Sequence, residues 1–131
     1  MYFPILRGRQ FELLALRECV NKSLLSNKII PIVEPIKVSS TYTKTVDSFI
    51  KAGRSIAIIR NPQVGSWSKD LKKESNAKIR EQASEQLKDV NVISSFYVTS
   101  KLDACIELAA KNGVSIDSLI LLCNNPEYVG N

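Results

Sequence analysis

Charged and amide side chains return at one kind of place along this chain, directly after an apolar run. Arg7 and Arg9 follow residues 2–6, Glu34 and Lys37 follow residues 29–33, and Arg60 and Asn61 follow residues 55–59. Lys101 follows residues 92–98, and Asn124 and Asn125 follow residues 119–123. Arginine grips a phosphate or carboxylate through two parallel N–H donors, and lysine adds a compact positive charge. Arg7, Arg9, Lys37 and Arg60, with the amides of Asn61, Asn124 and Asn125, could therefore hold an anionic small molecule. Glu34 is the one carboxylate of the set, and among cations it is the candidate catalytic base. A plainer reading stands beside this one: Glu34 pairs with Arg7 or Arg60 and closes the mouth of a sheet.

One phrase is written twice. Residues 55–65 and 118–130 each pass from an apolar run through Asn-Pro to Val-Gly, and residues 29–35 follow the same grammar with Glu-Pro at the end. Asparagine and proline commonly form turns after strands, asparagine by bonding its own backbone, so the repeat has a structural reading as well as a functional one. Arg7-Gly8-Arg9-Gln10, at the head of a helix, could cradle an anion on free backbone N–H groups. A single glycine is far from a GxGxxG or Walker pattern, neither of which occurs, so no cofactor is expected.

The elements that must position these residues follow from hydrophobic periodicity. Apolar runs without alternation are what strands buried on both faces look like, and such strands belong to parallel sheets covered by helices. Strands are expected at 2–6, 29–33, 55–59, 92–98 and 119–123, with Pro31 marking an edge or bulge in the second. Helices are expected over 10–25, 43–52, about 68–89 and 102–112. The first has Leu13, Leu16, Val20 and Leu24 on one stripe; the second is capped by the cluster Ser39-Ser40-Thr41 and closed by Gly53. The third has only the thin apolar face of Leu71, Ile79, Ala83 and Leu87, and its mixed charges mark a solvated surface.

The order is β-α-β-α-β-α-β-α-β, an alternating α/β arrangement of parallel strands. It fits the first half of a (β/α)8 TIM-type barrel, the favoured reading, with a compact doubly wound parallel sheet as the alternative. In either case the polar residues gather at the carboxyl ends of the strands, where α/β proteins bind ligands.

Composition removes several kinds of chemistry. The chain has 131 residues, 44% hydrophobic and 24% charged, enough for one folded domain. Histidine is absent, which excludes Ser-His-Asp and Cys-His catalysis and any His-ligated metal. Cys19, Cys105 and Cys123 are an odd number, widely spaced in apolar patterns, and read as buried small hydrophobes in a reducing compartment. No metal site is expected. Neither a membrane span nor a secretory leader is evident, so a cytoplasmic protein is expected. The net charge of +5 sits in the first half: residues 1–66 carry ten Lys/Arg against four Asp/Glu, and residues 67–131 eight against nine. That excess suits an anionic partner without demanding nucleic acid.

Residues 1–4, 6–18 and 30–37 together resemble the start of the uncharacterised bacterial phage-related "beta family" proteins. The likeness covers the first third well and the remainder only in its strand grammar. It implies an N-terminal portion of a longer chain, natural or engineered, in a mobile-element setting. It implies no activity, so no catalytic residue is carried over. A missing half would leave two open sheet edges, which invites a homodimer. Three classes of function therefore stay open: a ligand-binding or catalytic domain with a cationic strand-end face, a nucleic-acid-associated accessory protein, and a non-catalytic interaction module. The second would need a basic stripe through Lys37, Lys69, Lys72 and Lys73; the third, an apolar exposed edge and a stable oligomer.

Overall fold

A computed structural model describes residues 1–100, 102–111 and 119–123. Five parallel strands form one sheet: β1 (Ile5–Gly8), β2 (Ile32–Pro35), β3 (Ile56–Ile59), β4 (Val92–Tyr97) and β5 (Ile120–Leu122). Between them run α1 (Gln10–Asn21), α2 (Ser40–Lys51), α3 (Trp67–Leu71), a 3₁₀ turn (Glu74–Asn76), α4 (Ala77–Gln86) and α5 (Leu102–Lys111). The strands lie side by side in chain order, β1-β2-β3-β4-β5. This is the alternating parallel α/β class that the apolar runs predict.

Side chains alternate across each strand, so the sheet presents two different faces. On one, Val33, Ile56, Ile58 and Val92 join Leu13, Leu16 and Val20 of α1, Tyr42, Val46 and Phe49 of α2, and Ala83 of α4 in the main core. On the other, Ile32, Ala57 and Ile59 form a second cluster with Ile93, Tyr97, Ile120 and Leu122 packed against it. Among the described residues, no helix contributes to that second cluster.

The helices stop where local chemistry stops them. Apolar spacing carries the expectation for the first helix on to residue 25, but α1 closes at Asn21. Ser23 sits at φ 56°, with its N–H on the Val20 carbonyl and the Leu24 N–H on the Cys19 carbonyl. That paired closure lets a helix end without orphan carbonyls, and here serine fills the place glycine usually takes. α2 ends the same way, with Gly53 at φ 66° and the Arg54 N–H on the Phe49 carbonyl. It starts three residues before the expected 43, because Ser39, the first of the expected capping cluster, is the cap, its hydroxyl accepting from the Tyr42 N–H at 3.3 Å.

Other expected bounds are corrected too: the first strand runs over Ile5–Gly8 rather than 2–6, so Arg7 lies within it. The second strand begins at Ile32 rather than 29, because Ile29 makes only an isolated bridge to Tyr2 and Pro31 precedes the strand instead of interrupting it. The single helix expected over 68–89 is broken into three pieces. The Asn76 amide takes the Asp70 carbonyl at 2.9 Å and the Arg80 guanidinium takes the Leu71 carbonyl at 2.6 Å. Those are the acceptors that residues 74 and 75 would use in a continuous helix, so the chain turns there instead. The cysteines depart as well: Cys19 is only partly buried and Cys123 is exposed, while the Cys105 side chain lies outside the described residues.

Long-range polar bonds lock the helices together. The Thr45 hydroxyl donates to the Leu13 carbonyl at 3.2 Å, joining α2 to α1, and the Gln86 amide donates to the Thr43 carbonyl at 2.7 Å, joining α4 to α2. The loop after β3 is pressed onto the one after β2: the Ser66 N–H donates to the Ile36 carbonyl at 2.8 Å, and a Cβ on Gly65 would lie 2.5 Å from that same oxygen. With φ 85° as well, Gly65 has no room for any other residue. Gly65→Ala is expected to lower stability by about 2 kcal/mol or more, read from urea unfolding at unchanged slope. A loss below about 0.5 kcal/mol would mean that the two loops do not press together in solution.

Candidate functional site

The described strand-end residues do not all share one face of the sheet. Strand parity divides them, since a one-residue step turns a side chain to the other face. Arg7 and Glu34 are register partners on β1 and β2 and share the face away from α1 and α2. Ile32 pairs with Ala57, so Ile59 turns toward that same face and Arg60, one residue on, toward the helices. Arg9 and Lys37 belong to the loops beyond the strands. Lys101, Asn124 and Asn125 lie outside the described residues.

Glu34 is 2% exposed, and both carboxylate oxygens are engaged. Oε2 accepts from the Gln63 N–H at 2.7 Å and Oε1 from the Tyr97 hydroxyl at 3.0 Å. The carboxylate thus ties the end of β2 to the loop after β3 and to the end of β4. Service as a general base would require releasing one of these donors. Burial, with the hydrogen bond and charge of Glu34 behind it, raises the Tyr97 phenol above its ordinary pKa, and Arg7 pulls weakly the other way. Arg7 is exposed beside this group; no ion pair joins it to Glu34.

Asn61 explains part of the repeated phrase. Its amide donates to the Tyr97 carbonyl at 3.0 Å and its amide oxygen accepts from the Tyr97 N–H at 2.8 Å. The side chain extends the ladder by one rung, bonding the neighbouring strand rather than its own backbone as a simple turn would. Asn61 thus braces the end of β4.

Arg60 leans under α2 and α4. Its guanidinium donates to the Ser94 hydroxyl at 3.3 Å and comes close to the Tyr42 phenol. Burial lowers the Arg60 pKa from its ordinary value, opposed by Tyr42; burial pushes the Tyr42 phenol far upward, opposed by the charge of Arg60.

Arg9 and Lys37 do come together. A crevice of about 430 Å³ lies at the carboxyl ends of β1 and β2, lined by Gly8, Arg9, Gln10, Lys37, Ser39 and Thr41, with Ile36 beneath. The first turns of α1 and α2 both open onto it, so the positive ends of two helices add to the two side-chain cations, although Glu12 Oε2 already accepts from the Arg9 N–H at 3.1 Å and the Ser39 hydroxyl from the Tyr42 N–H. No Asp or Glu lines it, and neither cation has an ion-pair partner among the described residues.

The basic stripe is interrupted. Lys73 pairs with Asp70 at 3.3 Å, and Trp67 packs on Tyr42 with ring centres 4.7 Å apart, so its ring is not a free stacking platform. Among the described residues, no group of acidic, cysteine or histidine side chains could hold a metal, and no helix is long and apolar enough to cross a membrane. Sequence reasoning missed Arg80 and Gln63. Arg80 reaches the strand ends only because the expected helix breaks, and Gln63 acts through its backbone, which carries no sequence signal.

Comparison with protein-family descriptions, with curated proteins and with solved structures found no match. Function must therefore be read from the residues themselves.

Replacing Glu34 by Ala should cost about 1–3 kcal/mol by stranding two donors. The raised Tyr97 phenol has a definite sign in its pH dependence. Folding favours the neutral form, so its contribution is whole below the unfolded value near 10 and is lost as pH climbs through the folded value. Tyr97→Phe should flatten the alkaline decline in chemical-denaturation stability above about pH 10. An unchanged decline would separate Tyr97 from the strand-end fastening.

Proposed function

We propose that this chain is an α/β domain that binds a phosphate- or carboxylate-bearing small molecule at the carboxyl ends of β1 and β2. The crevice between the first turns of α1 and α2 carries the reading. Its volume of about 430 Å³ lies within the range of small-molecule sites, roughly 300–1,000 Å³. Arg9 and Lys37 give it two cations with no ion-pair partner among the described residues, and Ser39 and Thr41 give it hydroxyls. The resemblance of the first third to phage-related proteins is compatible with this reading and adds no substrate to it. A base role for Glu34 is secondary, because its oxygens are held and it belongs to the neighbouring face.

Thermal unfolding against a panel of phosphates, carboxylates and nucleotides tests the reading. A ligand at about 100 times its Kd adds roughly 2.7 kcal/mol, several degrees for a domain of this size. The shift should vanish in Arg9→Gln/Lys37→Gln. A panel without any shift, or a shift indifferent to that double variant, overturns the site.

A second reading rests on a separate observation. Among the described residues β1 lies at the edge of the sheet, and around it Tyr2, Phe3, Ile5 and Phe11 are all exposed, Phe11 by 84%. Open apolar edges recruit other strands, and the occupant proposed here is a second copy of this chain, as an interaction module would require. Sedimentation at micromolar concentrations should show a dimer that Ile5→Lys/Phe11→Lys converts to monomer. A wild-type chain that stays monomeric across that range removes this reading.

A further inference from the structure

A second cleft, of about 190 Å³, lies on the helix side of the sheet, between the end of β3 and the helices α2, α3 and α4. Tyr42, Arg60, Trp67, Arg80 and Ser84 supply its polar and aromatic lining, and no Asp or Glu takes part. Two guanidinium groups therefore face one cleft with no carboxylate between them. Each guanidinium has five N–H donors. Arg60 uses one on the Ser94 hydroxyl at 3.3 Å, and Arg80 one on the Leu71 carbonyl at 2.6 Å. All the ion pairs among the described residues use lysine. Tyr42 is 3% exposed, and its hydroxyl makes no hydrogen bond within the described residues. Most of the guanidinium donors of Arg60 and Arg80 therefore stay open to the cleft, where an anion would meet both cations and the Tyr42 hydroxyl.

We propose that the Arg60–Arg80–Tyr42 cleft is an oxyanion site that takes a tetrahedral phosphate group, as the free ion or as the end of a larger molecule. The chemistry fits the group. Two guanidiniums can each offer paired N–H donors to phosphate oxygens, and the Tyr42 and Ser84 hydroxyls can donate to those left over. Volume sets the size: the cleft falls below the roughly 300 Å³ at which small-molecule pockets begin, so a phosphoryl group fits and a whole nucleotide does not. This site is independent of the crevice between α1 and α2. The two draw on different cations and open beside different strands.

The single tryptophan, Trp67, lines this cleft and reports on it directly. Its emission should be followed in the full chain while inorganic phosphate is titrated to about 100 mM at constant ionic strength against chloride, a range that saturates any millimolar site. The expected result is a saturable change in emission with a parallel rise in thermal midpoint. Arg80→Gln should weaken the apparent affinity by about tenfold, and Tyr42→Phe by a few-fold. Both should be unaffected by Arg9→Gln/Lys37→Gln, which separates this site from the crevice. Equal saturation by methyl phosphate assigns the site to the phosphoryl end of a larger molecule; saturation by inorganic phosphate alone assigns it to the free ion. No saturable change in emission or midpoint in the wild-type chain overturns the proposal. So does an apparent affinity left unchanged by both Arg80→Gln and Tyr42→Phe, whose folds circular dichroism would verify.

Discussion

A carboxylate stripped of water has to be given donors, and Glu34 receives them from two different connections. The Gln63 N–H comes from the loop after β3, and the Tyr97 hydroxyl from the end of β4. Remove that demand and the carboxyl end of the sheet loses its common anchor. With it in place, the loop over 60–66 is held flat enough for Gly65 to touch the Ile36 carbonyl and for Ser66 to bond it. The start of α3 follows from Ser66, where the buried Asp70 accepts from the Ser66 hydroxyl at 2.8 Å and the Lys73 ammonium stands close by. Both candidate anion sites border this loop or the one it presses on, so their shapes descend from one buried acid.

The same anchor shows why the strand-end polar residues serve different ends. A parallel ladder leaves the last N–H and C=O groups of each strand without a partner, and water is scarce where loops cover them. Asn61 fills the gap at the end of β4 with a side-chain amide that copies a peptide unit. Glu34 fills another at the loop backbone. Both side chains already hold partners within the fold. The cations are under no such demand: Arg9 and Lys37 stand in loops facing solvent, and Arg60 and Arg80 meet across a cleft that supplies no carboxylate.

The two faces of the sheet pose a contrast of their own. The helix-covered face packs α1, α2 and α4 into one cluster, with Phe49 and Val33 fully buried. The other centres on Ile32, Ala57 and Ile59, with Ile93, Tyr97, Ile120 and Leu122 packed against them. Toward β1 that packing runs out, and Ile5 is 55% exposed. An apolar face that thins toward an open edge is where a partner strand gains the most by docking.

Sequence alone determined the alternation of strands and helices, because period-free apolar runs and one-sided stripes reflect burial that any parallel α/β fold must supply. It also indicated a cap within Ser39-Ser40-Thr41 and a closing turn at Gly53, since those rest on contacts within a few residues. What it could not decide was which strand-end residues share a site. The step of one residue between Ile59 and Arg60 turns the arginine away from Glu34, and that parity depends on register with a neighbouring strand. The break at residues 72–76 likewise depends on Arg80 and Asn76 reaching back to carbonyls that local propensity assigns to a continuous helix. Residues near in sequence declared the elements; only contacts across the sheet and between helices decided the sites, because hydrogen bonds and charge act through distance in space and not along the chain.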